Sequence, residues 1–135
     1  MRAPLLLSLL VLALGGCEAA QRMATDAVTA ATAAQTRSDA DWNTNASEYR
    51  GQIGQQIAYV CPPGGQPMSV WGSGPYTDDS AVCGAAVHAG AITPSRGGRI
   101  VIEMRDGQQS YQGGRRNGIE AMNYGAWGGS FVVLR

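Results

Sequence analysis

Lysine is absent from this chain: all ten basic side chains are arginine, and ten acidic residues bring the formal net charge to zero. Nucleic-acid binding rests on neutralising phosphate with a basic surplus or stripe, and this balance excludes it. Histidine occurs once, at His88, and no Gly-x-Ser-x-Gly elbow or other nucleophile pattern accompanies it. Acyl-transfer catalysis needs a nucleophile paired with a base, so the chain reads as a non-enzyme. The three cysteines and this histidine stand at no zinc-ligand spacing, and neither a metal nor a cofactor is expected. Long apolar runs are scarce as well. The one near the start, Leu5 to Gly16 with Ser8 inside it, falls short of the roughly 20 residues that span a bilayer as a helix.

That run fits the apolar region of a cleaved secretory signal behind the short positive start of Met1 and Arg2. Leu14-Gly15-Gly16-Cys17 then reads as a lipobox, with leucine three residues before the cysteine and a small residue directly before it. Residues 1–16 are the expected signal peptide, and Cys17 is the lipid attachment site of the mature chain. The competing reading is an ordinary signal peptide cut near Ala20, with Cys17 incidental. Each acyl CH₂ buried in a membrane contributes about 0.8 kcal/mol, so several chains on Cys17 would anchor firmly. Glu18 after the cysteine resembles outer-membrane sorting in lipoproteins of double-membraned bacteria. The expected location is the cell envelope, held by lipid.

The mature chain is long enough for one small domain. Residues 17–48 are expected to be a tether, because Met23 to Thr36 is dominated by alanine and threonine and offers at most a short fluctuating helix. Asn45-Ala46-Ser47 matches a glycosylation sequon, which a bacterial lipoprotein would leave unmodified. Residues 49–135 differ in composition. Seventeen of the nineteen glycines lie between Gly51 and Gly129, among aromatic and β-branched residues, which predicts short strands and tight turns. Strands are predicted over Gln56 to Cys61, Met68 to Trp71, Arg99 to Arg105 and Ser130 to Leu134. In the third, Ile100, Ile102 and Met104 face one way. Asp106-Gly107 is expected to turn the chain into a hairpin with Gln109 to Gln112.

One segment departs from the β pattern. Val82, Ala85, Ala86 and Ala89 recur at the spacing of one helical stripe, predicting a helix over about residues 80–89. Asp78 or Asp79 is expected to cap it, in preference to holding Ca²⁺, and Gly90 to stop it.

The stretch from Pro75 to Gly90, with Tyr76, Ser80, Cys83, Ala85-Ala86, His88 and Gly90 in order, resembles the defining motif of the LCCL domain family. Gly97-Gly98-Arg99-Ile100-Val101 and Tyr111 are similar to the hairpin that follows it. Asn117-Gly118-Ile119 and Tyr124 to Phe131 resemble the family's closing motif, so the likeness runs from about Cys61 to Leu134. It implies an α+β fold, a central helix enclosed by two sheets of short strands, and a role in binding polysaccharide or lipopolysaccharide. Family members usually carry four cysteines in two bridges; here Pro62-Pro63-Gly64-Gly65-Gln66 stands where one pair would be. With Cys17 committed to lipid, Cys61 and Cys83 remain as an even pair for an oxidising compartment. A bridge between them is the expectation, and two buried thiols the alternative.

Candidate ligand-binding residues come from side-chain chemistry. Arg115-Arg116, flanked by Gly113-Gly114 and Asn117-Gly118, is expected in a loop and suits bidentate contact with phosphate or carboxylate. Trp71, Tyr76, Tyr111, Tyr124 and Trp127 suit stacking on sugar rings, with Tyr111 and Trp127 taken as the ligand-binding pair, although a small domain needs most of its aromatics for its core. His88 is either a ligand-binding imidazole or a packed side chain whose ring nitrogens satisfy its neighbours, and the second is expected. The functional expectation is a membrane-anchored extracytoplasmic module that binds an anionic envelope polysaccharide or lipopolysaccharide-like glycan. The alternative is a structural or protein-interaction module of the envelope. The anchor is directly testable: Cys17→Ser should move the protein from the membrane pellet into the soluble extract on fractionation, and a variant that still pellets would remove the lipoprotein reading.

Overall fold

The computed structural model describes residues 37–135; the signal peptide, Cys17 and the alanine- and threonine-rich stretch lie outside them. Seven strands and one α-helix occur in order among these residues, with a 3₁₀ turn at Ser47–Tyr49 before the second strand: β1 (Arg37–Asp39), β2 (Gln56–Cys61), β3 (Tyr76–Thr77), α1 (Val82–His88), β4 (Gly98–Gln108), β5 (Gly114–Arg116), β6 (Ile119–Ala121) and β7 (Trp127–Leu134). Five strands form one sheet in the order β1-β2-β4-β7-β3, and β5 and β6 form a second sheet. The domain is α+β, as the resemblance implied.

The alternation in β4 dictates the core. Ile100, Ile102 and Met104 are buried, while Val101 and Glu103 between them are half-buried and Arg99 and Arg105 are exposed. Directly across, Tyr59 and Ile57 of β2 meet Ile100 and Ile102, and Phe131 of β7 meets Met104. Cross-strand neighbours on one face pack against each other, so three strands supply one continuous apolar surface. Helix α1 lies against it with every residue buried, not only the expected stripe. Gly84 explains part of this: a Cβ there would lie 3.0 Å from the Met68 carbonyl oxygen, so its absence lets the chain pass close.

The helix ends as expected at Gly90, whose φ is +81°. The Gly90 amide donates to the Val87 carbonyl and the Ala91 amide to the Ala86 carbonyl, the paired closure that a left-handed residue permits after a helix. Its start differs from expectation. Neither aspartate caps it: Ala81 occupies the cap position without a side-chain bond, and the Val82 amide donates to the Thr44 carbonyl. Backbone from another segment satisfies the helix, and Asp78 is used elsewhere.

Thr44 belongs to the segment expected to be tether, yet the residues from Arg37 onward pair and pack with the rest of the domain. Strand β1 pairs in parallel with β2, and the Ala40 amide continues that pairing to the Val60 carbonyl. Trp42 and Ala46 join the core, and the Trp42 indole donates to the Pro62 carbonyl at 3.2 Å. A Cβ on Gly65 would fall 1.6 Å from that indole nitrogen, so the Pro62–Gly65 turn can close over the ring only where side chains are missing. One tryptophan among polar residues shows no periodicity, yet its large apolar area justifies ordering the chain around it.

Two further expectations are corrected. Met68 to Trp71 forms no strand and makes only a bridge from Trp71 to Met122. Asp106-Gly107 is not a turn, because β4 runs straight through it and pairs with β7 as far as Gln108 and Trp127. Gly107 serves there by lacking a side chain: a Cβ would lie 2.2 Å from the Trp127 carbonyl oxygen. Tyr111 then bridges to Tyr124 and does not return beside β4.

Cys61 and Cys83 form the disulfide, tying the end of β2 to α1 across a sequence separation of 22. A loop of that length contributes about 3 kcal/mol on the chain-entropy account. Cys83→Ala should therefore lower the melting temperature by about 10 °C or more. Titrating thiols on the unfolded, unreduced mature chain gives the independent check, and two reactive thiols there would contradict the bridge.

Candidate functional site

Asp78 sits at the junction of three segments. Its carboxylate is fully buried and accepts hydrogen bonds from Arg50 Nε at 2.7 Å, Arg50 Nη2 at 2.7 Å and Trp127 Nε1 at 2.8 Å. Its backbone amide donates to the Gly129 carbonyl, and its carbonyl accepts from the Ala46 amide. Gly129 makes room, since a Cβ there would lie 1.9 Å from Asp78 Oδ2. Burial pushes the Asp78 pKa up, but the hydrogen bonds from Arg50 and Trp127 and the Arg50 charge outweigh it, and the net direction is below the ordinary aspartate value. The Arg50 guanidinium lies 4.9 Å from the centre of the Trp127 ring, a cation–π contact. Together these fix the ring's position at the surface.

A second buried network carries the residues of the family motif. Tyr76 Oη and His88 Nδ1 are 2.9 Å apart, and His88 Nε2 is 2.8 Å from the Gly114 carbonyl oxygen. A carbonyl only accepts, so Nε2 carries the proton and donates, which leaves Nδ1 to accept from the tyrosine hydroxyl. Asn117 Nδ2 donates to the His88 carbonyl. His88 thus fastens the helix to the β5–β6 hairpin as a packed, satisfied side chain. Ser80 does similar work: its hydroxyl accepts from the Trp71 amide, and Thr77 Oγ1 lies 2.9 Å from it.

The expected ligand-binding residues are not brought together. Arg115 and Arg116 lie on β5, not in a loop; the turn is Asn117-Gly118, both at positive φ, as a tight hairpin requires. Successive strand residues point to opposite faces, so the two exposed guanidiniums diverge and form no joint fork. Arg115 stands across from Glu120, and Arg116 Nη1 donates to the Ser73 carbonyl at 3.1 Å. Tyr111 is buried, and its hydroxyl accepts from the Gln108 amide and lies 3.3 Å from each of the Trp127 and Gly129 carbonyl oxygens. It holds the end of β7 in place and offers no ring to a ligand. Trp127 alone of the four is a half-buried aromatic at the surface.

Around it stands a row of rings. Tyr124, 42% exposed, meets Trp127 edge to face at 5.6 Å and Trp71 at 6.3 Å. Beside Trp127 lies an open cleft of about 560 Å³, lined by Asp106, Gly107, Gln108, Gln109, Ala126 and Gly128. A second cleft, of about 500 Å³, is bordered by the exposed Met68 and Met122. Among the described residues no group of three or more metal-ligating side chains converges, and no helix is long and apolar enough to cross a membrane.

The LCCL domain family profile matches residues 31–131, most of the chain. The chain belongs to the LCCL domain family. Among similar proteins, Vitrin from Homo sapiens is 41% identical over 84 residues, covering 61% of this chain and 12% of Vitrin. Cochlin from Homo sapiens is 37% identical over 86 residues, covering 62% of this chain and 16% of Cochlin. Cysteine-rich secretory protein LCCL domain-containing 2, also from Homo sapiens, is 38% identical over 56 residues, 42% of this chain and 11% of that protein. This LCCL chain therefore spans under a fifth of each relative. The profile match begins upstream of Tyr49, in keeping with the packed Trp42.

Sequence reasoning missed Arg50 and gave Asp78 the wrong task. The signal available was weak: an arginine and an aspartate 28 residues apart in sequence, with a glycine far downstream. Their pairing has a sign that can be checked. A folded-state pKa below the unfolded value adds stability that is complete above the ordinary aspartate value, about pH 4, and lost as pH falls through the folded value. Asp78→Asn should cost about 1–3 kcal/mol at neutral pH. The gap in urea midpoint between wild type and variant should close as pH drops from roughly 5 to roughly 2. A gap that stays constant across that range would mean that the ionised carboxylate adds nothing to stability.

Proposed function

We propose that this LCCL domain is an extracytoplasmic binding module, carried on the membrane by lipid at Cys17, that recognises a cell-envelope polysaccharide. The row of Trp71, Tyr124 and Trp127 rings at the surface carries the reading. Aromatic rings with a polar tip are the side chains suited to a surface that must be partly apolar and partly wet, and the C–H face of a sugar ring is such a partner. Leaving Tyr124 42% exposed costs a domain this small apolar area it would otherwise bury. The name of one relative, a cysteine-rich secretory protein, supports an extracytoplasmic setting. His88 has both ring nitrogens engaged, by Tyr76 and by Gly114, and so is not free to serve a nucleophile as base; the reading is binding without turnover.

The contrast between Arg115 and Arg116, on opposite faces of β5, weighs against a joint grip on an anionic group, and the polysaccharide reading does not depend on them. A protein-interaction role is the second reading, supported by the exposed Met68 and Met122 beside their own cleft. Titrating the purified chain with envelope polysaccharide fractions separates the two. Saturable binding that falls at least tenfold in Tyr124→Ala, with an unchanged melting temperature, is the expected result. Binding to no fraction, alongside a protein partner lost in Met68→Ala with Met122→Ala, would favour the second.

A further inference from the structure

We infer that the cleft between the ends of β4 and β7 is a saccharide subsite for an uncharged sugar ring, read by Asp106, Gln108 and Gln109 against Trp127. This rests on the polysaccharide reading and adds where the sugar sits and what charge it carries. Register places the groups together. Gln108 stands directly across from Trp127, and Asp106 directly across from Gly129, so these side chains share one face of the sheet. Gly128, where a Cβ would meet nothing within 4 Å, leaves the adjoining backbone bare beside a space of about 560 Å³, within the roughly 300–1,000 Å³ of small-ligand sites.

The chemistry of the rim selects the ligand. Backbone groups of Asp106 and Gln108 are bonded to Ser130 and Tyr111, but among the described residues no hydrogen bond or ion pair involves the side chains of Asp106, Gln108 or Gln109. A carboxylate accepts and an amide both accepts and donates, the combination that matches neighbouring hydroxyls on a ring. The half-buried Trp127 supplies apolar surface beside them. Its position is set in advance by the Asp78 and Arg50 contacts, so little ordering is needed on binding. The one charged side chain in the cleft is Asp106. A phosphate or uronate would meet like charge there, and the Arg50 guanidinium against the Trp127 ring is already paired with Asp78, whereas a neutral hexose meets only acceptors and donors.

The test is calorimetric titration of the purified chain with neutral hexose oligosaccharides of the glucose, mannose and galactose series, and with uronic-acid oligosaccharides of equal length. The expected result is saturable binding within the neutral set, with a Kd that stays constant as salt rises, because no ion pair is there to be screened. Asp106→Ala, and Gln108→Ala with Gln109→Ala, should each weaken binding at least tenfold. Arg115→Ala with Arg116→Ala should leave it unchanged. All these side chains are exposed, so unchanged melting temperatures confirm intact folds. Neutral binding that survives the cleft variants would overturn this location and leave the polysaccharide reading standing. Binding confined to the uronates, weakened by salt and by loss of the two arginines, would overturn the uncharged ligand only. Binding to neither set, with envelope fractions also inert, would remove the subsite and the polysaccharide reading together.

Discussion

A carboxylate withdrawn from water is expensive unless donors replace its hydration, and Asp78 has three side-chain donors arranged around it. That requirement organises much of the domain. Arg50 has to come from the segment before β2, which keeps that segment folded against the body of the domain. Trp127 has to begin β7 with its indole nitrogen turned toward the acid. Gly129 has to lack a side chain, because the carboxylate occupies the space where one would be. Asp78 is also the point where β3 meets β7 through backbone, with its amide on the Gly129 carbonyl. One buried charge therefore fixes the geometry of the sheet edge and the placement of the surface tryptophan.

The helix depends on its surroundings in a comparable way. Seven residues are too few to hold a helix in water, so α1 persists by being enclosed. The disulfide secures its first turn, Thr44 completes its amide end, and His88 fastens its last turn to Gly114 and Tyr76. Small residues along it permit that enclosure, and the histidine supplies the one polar connection a buried helix of this kind can satisfy at both nitrogens. The motif residues Tyr76, Ser80, His88 and Gly90 consequently describe how the core is built, whereas the candidate binding surface lies at the far end of the β4–β7 ladder.

Reading the sequence recovered the parts whose signals are local. Alternation announced β2, β4 and β7, a stripe of small apolar residues announced α1, and Gly90 marked its end. The tertiary parts were not legible. Trp42 lies in a polar stretch with no repeat, so its place in the core and the reach of the domain back to Arg37 had no pattern to reveal them. Asp106-Gly107 carries the composition of a turn, but the ladder with β7 overrode it, using the bare glycine for close approach. Asp78 looked like a helix cap because caps are local, while its actual partners lie 28 and 49 residues away in sequence. For the candidate site, Trp127 was visible as a surface aromatic. Asp106 and Gln108 were not, since only strand register sets them beside it.

The order of the main sheet has a kinetic consequence. Ala58 pairs with Val101, Val101 with Leu134, and Tyr76 with Phe131, so no two adjacent strands of the five are joined by a short turn. The β5–β6 hairpin is the single local pairing of strands among the described residues, and it lies outside that sheet. Chains whose contacts are distant in sequence must close large loops before any contact rewards them, and such topologies fold in milliseconds to seconds. Until those distant pairings close, the strand edges stay uncovered, and any quality-control factor that acts on such a chain has that interval in which to act.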